Sequence, residues 1–215
     1  MSELRAKICG LSTADGVRAA VDGGAAFIGF VFFSKSPRHL DPKTAAVLAA
    51  PAKRSGVKIV AVTVDASDAE LDEIAEHLAP DYVQLHGHET PGRAAEVRQR
   101  TGAGVIRAFR VETAADLDAA QAFASSVDYL MFDAKPPTGA VLPGGNGAAF
   151  DWSILTGRGF SAPWFLAGGL SPDNLAHAAQ TSGASLVDVS SGVEIAPGVK
   201  EPRLITAFLD AVRRA

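Results

Sequence analysis

The chain has 215 residues, 47% of them hydrophobic and 20% charged, with a formal net charge of −4. That length suits one α/β domain with a full core, and the charge balance, with no basic run longer than two residues, excludes an electrostatic footprint for nucleic acid. A single cysteine excludes an intrachain disulfide and gives no zinc spacing, so a reducing, cytoplasmic setting is expected, with no secretory-type start and no apolar run of membrane-spanning length.

Along the chain, short apolar, β-branched segments alternate with helix-patterned ones. The first expected strand is AKICG (6–10), which carries Cys9 and, two residues before it, Lys7. Ser12-Thr13-Ala14-Asp15 then opens a helix, and FIGFVFF (27–33) is the second strand. Asp41-Pro42 opens the next helix, VKIVAVTV (57–64) follows, and Ser67-Asp68 with Glu70 forms a capping box. YVQLH (82–86), a helix from Thr90-Pro91, GVIRAFRV (104–111), a helix from Glu112-Thr113 and YLMFDA (129–134) come next. The sixth unit is weak, because Phe150-Asp151-Trp152-Ser153-Ile154-Leu155 leaves room for only a short helix. PWFLAGG (163–169), a helix from Ser171-Pro172-Asp173, LVDVSSGV (186–193) and a helix from Glu201-Pro202 complete the series.

Each expected strand is a near-continuous apolar run, as in parallel strands covered on both faces. Eight strand–helix pairs in one domain over residues 1–215 predict a compact α/β fold, the (β/α)8 TIM barrel. An open doubly wound sheet is the alternative. Against it, the turn Cys9-Gly10-Leu11-Ser12 lacks the GxGxxG dinucleotide signature. In a barrel, function gathers where strands lead into helices, which selects Cys9, the loop 34–38 with Arg38, Asp65, His86 and Asp133.

The same rule selects two loops with an anion signature. Gly168-Gly169 leads into a helix start, and Ser190-Ser191-Gly192 follows the eighth strand. Glycine lets backbone approach an anion, and helix N-termini and hydroxyls supply donors, so these loops are expected to bind a phosphate. Strands seven and eight lie between six and one in a closed ring, so Asp133 and Cys9 flank that position. At strand spacings of about 4.8 Å, their Cα atoms are expected about 14 Å apart, leaving a gap the width of a sugar ring.

KICGL, GFVFFSKSPR, VQLHG, FDA, LAGGLSPDN and DVSSGVE followed by PGVKEP occur in order through nearly the whole chain. Together they resemble the phosphoribosylanthranilate isomerase family. The resemblance implies a (β/α)8 fold, no cofactor and an Amadori rearrangement of N-(5-phosphoribosyl)anthranilate in tryptophan biosynthesis. It implies Cys9 as general base, Asp133 as general acid, Arg38 as partner of the anthranilate carboxylate, and His86 and Asp188 as pocket residues. GGNG at 144–147 departs from the family pattern, which has a threonine there.

The chemistry is consistent with those residue types. Ring opening needs a carboxylic acid whose pKa is raised towards neutrality, and burial near a phosphate can do this. The base must become a thiolate near pH 7. Lys7 shares the Cys9 face of its strand, so it either lowers the thiol pKa or pairs with a carboxylate in the barrel interior. Arg38 offers bidentate recognition of a planar carboxylate. His86 is either a pocket residue or a satisfied strand-end histidine. His39, His77 and His88 read as surface residues, and Asp65 as a cap for the following helix. The glycine- and proline-rich stretch 135–147 is expected to act as a lid.

A related lyase such as indole-glycerol-phosphate synthase would call for a lysine–glutamate pair, where this chain offers Cys9 and Asp133. A non-catalytic phosphosugar sensor would not need both an acid and a base. The expected partner is a small phosphoribosyl substrate, with no metal, nucleic acid or membrane, for a monomer or weak homodimer.

Overall fold

Residues 3–123, 125–135 and 149–215 are described by the computed structural model. Every residue of FIGFVF is buried, so β2 (Phe27–Phe32) can only be an interior strand covered on both faces. The same holds for most of β1 (Arg5–Cys9), β3 (Lys58–Thr63), β4 (Tyr82–Leu85), β5 (Gly104–Val111), β6 (Tyr129–Ala134), β7 (Trp164–Leu166) and β8 (Leu186–Val189). All eight pair in parallel, in chain order, and β8 closes on β1. The expected (β/α)8 barrel is the observed architecture.

Strand alternation divides the apolar residues into two cores. Cys9, Val31, Val60, Ile106, Ala108 and Met131 fill the barrel interior. Ile8, Ile28, Phe30, Ile59 and Val105 belong to the larger core that packs outward against the helices. At the amino-terminal end, Phe27, Tyr82, Tyr129 and Phe165 pack edge-on and tilted, with ring centroids 5.2–5.9 Å apart. The Arg5 guanidinium lies 5.4 Å above the Phe27 ring and finishes this aromatic plug. The barrel is filled from below, and its carboxyl end alone is free to hold a ligand.

Helix starts follow the expected caps. Thr13, Asp41, Ser67 and Thr90 accept from the backbone N–H three residues on, opening α1 (Ala14–Asp22), α2 (Pro42–Ser55), α3 (Asp68–His77) and α4 (Pro91–Thr101). The capping box of Ser67 and Glu70 is complete, and Glu201 caps α6 (Pro202–Arg214). Two starts differ. Glu112-Thr113 opens a 3₁₀ segment, Ala114–Phe123, whose first turn closes from Asp116 N–H to the Thr113 carbonyl at 3.1 Å. Ser171-Pro172 does not begin a helix; α5 runs Leu175–Ser182. Asn174 accepts from Ser171 N–H and donates to the Gly169 carbonyl, each at 2.8 Å, which reserves 169–174 as a shaped loop.

After β8 come a 3₁₀ turn, Ser191–Val193, and a small antiparallel hairpin of β9 (Glu194–Ala196) and β10 (Val199–Lys200). The expected lid beyond Lys135, and GGNG within it, lie outside the described residues.

Candidate active site at the carboxyl end of the barrel

The parity that places Ile106, Ala108 and Met131 inside the barrel continues upward to a layer of polar residues. Lys7 and Cys9 come from β1, Asp188 from β8, Asp133 from β6, Arg110 from β5 and His86 from the end of β4. Strand register sets Lys7 opposite Asp188 and Arg110 opposite Asp133. A purely apolar interior would have needed none of these groups.

Lys7 is 0% exposed. Its Nζ donates to Asp188 Oδ1 at 2.9 Å, and its charge acts on the Cys9 thiol nearby. Both readings of Lys7 are therefore met, as carboxylate partner and as thiol neighbour. The position a Cβ would take at Gly29 lies 3.2 Å from Lys7 Nζ and 3.3 Å from Cys9 Sγ, so β2 offers both groups bare backbone. Burial works against the Lys7 charge, but Asp188 and Cys9 more than offset it and hold the ammonium above its usual range. For Cys9, burial pushes the thiol above its ordinary value, and Lys7 and Lys200 oppose that push without reversing it. Lys7 thus acts on the thiol in the expected direction, and burial outweighs it.

Asp133 is buried, and its carboxyl is raised to about 7, first by desolvation and then by the negative charge of Asp188. His86 Nε2 lies 3.5 Å from Asp133 Oδ2, beyond good hydrogen-bonding geometry, and has no partner among the described residues. Burial, then the Arg110 and Arg107 cations, lower His86 to about 3, so the ring is neutral. His86 Nε2 is therefore not that of a satisfied strand-end histidine, and it lies beside Asp133. Arg110 Nη2 donates to the His86 carbonyl at 3.3 Å.

Arg38, on the loop after β2, makes a side-on pair with Glu194: Nε to Oε1 and Nη2 to Oε2, both 2.7 Å. The two anion-signature loops pack against each other. Gly168 and Gly169 have φ of 85° and 66°, and a Cβ at Gly168 would sit 2.5 Å from Ala134 N, immediately after Asp133. A Cβ at Gly192 would run into the Leu170 carbonyl oxygen. Ser190 and Ser191 flank this junction at the start of the 3₁₀ turn. Bare backbone and hydroxyls meet here, the kinds of donor that suit an anion.

Asp65 does not cap the helix that follows it. Ser67 caps α3, and Asp65, with φ 48°, accepts from His88 N–H at 2.6 Å and pairs with His88 Nδ1 at 3.0 Å. Two residues too early to cap the helix, it braces the loop after β4 instead. His39 and His88 are exposed and His77 half-buried.

Several site residues were not singled out from sequence. Arg110 could have been found by counting parity upward from Ile106 and Ala108. Glu194 and Lys200 stand in SSGVE and PGVKEP, but β9 and β10 span three and two residues and give no strand pattern to place them. Arg107 pairs with Glu89 at 3.2 Å and donates to the Leu85 and Gly87 carbonyls, tying β5 to the loop that follows β4. No group of three His, Cys, Asp or Glu side chains able to hold a metal occurs among the described residues.

A raised carboxyl and a buried thiol near an ammonium, gathered at the carboxyl ends of the strands, are what an enzyme of the (β/α)8 class carries at its active end. The profile of the family described as N-(5'phosphoribosyl)anthranilate (PRA) isomerase matches residues 6–211. The N-(5'-phosphoribosyl)anthranilate isomerase of Caulobacter sp. (strain K31) is 63% identical over 211 residues, 98% of this chain and 99% of that one. The crystal structure of phosphoribosyl anthranilate isomerase from Thermotoga maritima superposes with a TM-score of 0.86 at 29% identity, covering 99% of this chain and 100% of that one. A phosphoribosyl anthranilate isomerase in complex with reduced 1-(o-carboxyphenylamino)-1-deoxyribulose 5-phosphate matches with a TM-score of 0.81 at 28% identity, over 99% and 100% of the two chains. The chain belongs to the phosphoribosylanthranilate isomerase family, the isomerases of tryptophan biosynthesis.

Proposed function

We propose that Asp133 and Cys9 are the general acid and general base of the conversion of N-(5-phosphoribosyl)anthranilate to 1-(2-carboxyphenylamino)-1-deoxyribulose 5-phosphate. Asp133 gives its proton to the ribose ring oxygen as the C1′–O bond breaks, and the nitrogen lone pair forms the C1′=N iminium. The Cys9 thiolate then removes the C2′ proton, and those electrons neutralise the iminium to give an enolamine. Transfer of the C2′ hydroxyl proton to solvent and protonation at C1′ complete the ketone. No cofactor enters this balance.

The observation that carries the reading is the Asp133 carboxyl at about 7, an acid that keeps about half of its protons at neutral pH, where an ordinary aspartate keeps almost none. Lys7 supports it by placing an ammonium against Cys9, and the iminium formed in the first step adds positive charge where the thiolate is needed. Gly168, Gly169, Ser190, Ser191 and Gly192 hold the phosphate. Arg38 reads the anthranilate carboxylate. His86 and Arg110 line the sugar beside Asp133, and Asp188 keeps Lys7 in place.

The test is loss of anthranilate-linked fluorescence with Cys9→Ala and Asp133→Asn. Each is expected to lower turnover by roughly 10²–10⁴-fold while leaving product-analogue binding measurable. Wild-type turnover in either variant removes that residue from its role.

A further inference from the structure

Arg38 sits on a loop and carries a long side chain with much rotational freedom to lose. The structure shows what removes that freedom. Glu194, whose side chain is only 4% exposed, takes the Nε–Nη2 edge of the guanidinium with both carboxylate oxygens. Its Oε2 also accepts from Gly198 N–H at 3.2 Å, and its Oε1 accepts from Lys200 Nζ. Lys200, buried like Glu194, spends its other protons on the Ser190 carbonyl at 3.0 Å and the Ser190 hydroxyl oxygen at 3.2 Å. An ammonium only donates, so the Ser190 hydroxyl accepts here and its own proton is left to donate elsewhere.

One carboxylate thus joins the arginine on the β2 loop to the serine that begins the loop after β8. Two cations against one anion leave one net positive charge beside Gly10, the residue after Cys9, where a Cβ would lie 2.6 Å from Arg38 Cδ and 3.4 Å from Lys200 Nζ. Burial alone would push Glu194 up, but its bonds to Arg38 and Lys200 hold it below its usual range and therefore ionised. An exposed ion pair of this kind would contribute little. A buried one fixes geometry and cannot be broken cheaply.

We propose that Glu194, bridged by Lys200 to Ser190, is a positioning residue for substrate recognition, presetting the Arg38 guanidinium for the anthranilate carboxylate in register with the phosphate loop. The inference rests on the assignment of Arg38 to that carboxylate. Glu194 touches no substrate in this reading. It fixes the separation between the two anionic ends of a substrate that the barrel mouth accepts.

The experiment compares two inhibitors, reduced 1-(o-carboxyphenylamino)-1-deoxyribulose 5-phosphate and the same compound without the carboxylate. In Glu194→Gln the inhibition constant of the first is expected to rise on the order of tenfold, while that of the second stays the same. Equal weakening of both inhibitors, or of neither, overturns the proposal, because a merely structural role does not distinguish them. Should Glu194→Gln leave the two buried cations too poorly balanced to fold, Glu194→Gln/Lys200→Met restores one positive charge and is read by the same ratio. Arg38→Met is run in parallel. If it too leaves the ratio unchanged, the Arg38 assignment falls and the proposal with it; if only the Glu194 variants do, the proposal alone falls.

Discussion

At the scale of single residues, the site is governed by how burial shifts protons. Asp133 and His86 face each other in the same dry layer, and desolvation neutralises both, raising the acid to about 7 and lowering the imidazole to about 3. The proposed chemistry needs Asp133 protonated and Cys9 ionised, although the thiol holds its proton more tightly than the acid does. Below about 7 the working form therefore grows with pH; between there and the higher value of the thiol Asp133 loses protons as fast as Cys9 does and the fraction is level, and beyond the thiol's own titration it falls. The pH profile of kcat/KM is expected to rise to about 7 and then flatten, and a profile that falls through 7 contradicts this pairing of acid and base. The same shift bears on stability. The carboxyl titrates at 3.8 when unfolded and about 7 when folded, so its stabilising contribution is complete below 3.8 and lost as pH rises through 7. Cys9, Lys7 and Asp133 were legible in the sequence because strand parity and strand ends are local properties. The Arg38–Glu194 pair was not, since it joins residues 156 apart in a geometry no spacing encodes.

Elements were legible wherever one strong local signal sufficed. GVIRAFRV and YLMFDA coincide with β5 and β6 residue for residue, and the caps at Asp41, Ser67 and Thr90 open their helices as expected. The start of α5 was missed because serine–proline resembles a helix opening, while the deciding bonds come from the Asn174 side chain back to Ser171 and Gly169. That loop and the one after β8 are built around a missing side chain: only glycine at 192 clears the Leu170 carbonyl. Gly192→Ala is expected to weaken phosphate contacts by about 1–3 kcal/mol, raising KM more than it lowers kcat. Unchanged KM in steady-state assays would separate this junction from substrate binding.

At the scale of the whole molecule, the order of strands turns a list of distant residues into a ring. β7 and β8 must lie between β6 and β1, so the acid and the base are held apart across the loops that the same closure brings together. This much of the fold was readable in advance, because eight alternating units leave a barrel few ways to close. The hairpin that carries Glu194 and Lys200 lies outside the repeat, and the repeat could not announce it. One feature at the far end of the barrel reaches further than packing. Four interlocked rings and the guanidinium over one of them stop up the floor, so whatever enters this vessel must leave by its rim. A newly made ketose and an incoming aminoaldose then contend for one doorway. Both occupy the same place in the same free enzyme, so product inhibition is expected to be competitive in initial-rate measurements, and a noncompetitive component would require a second binding site or a slow conformational return of the free enzyme.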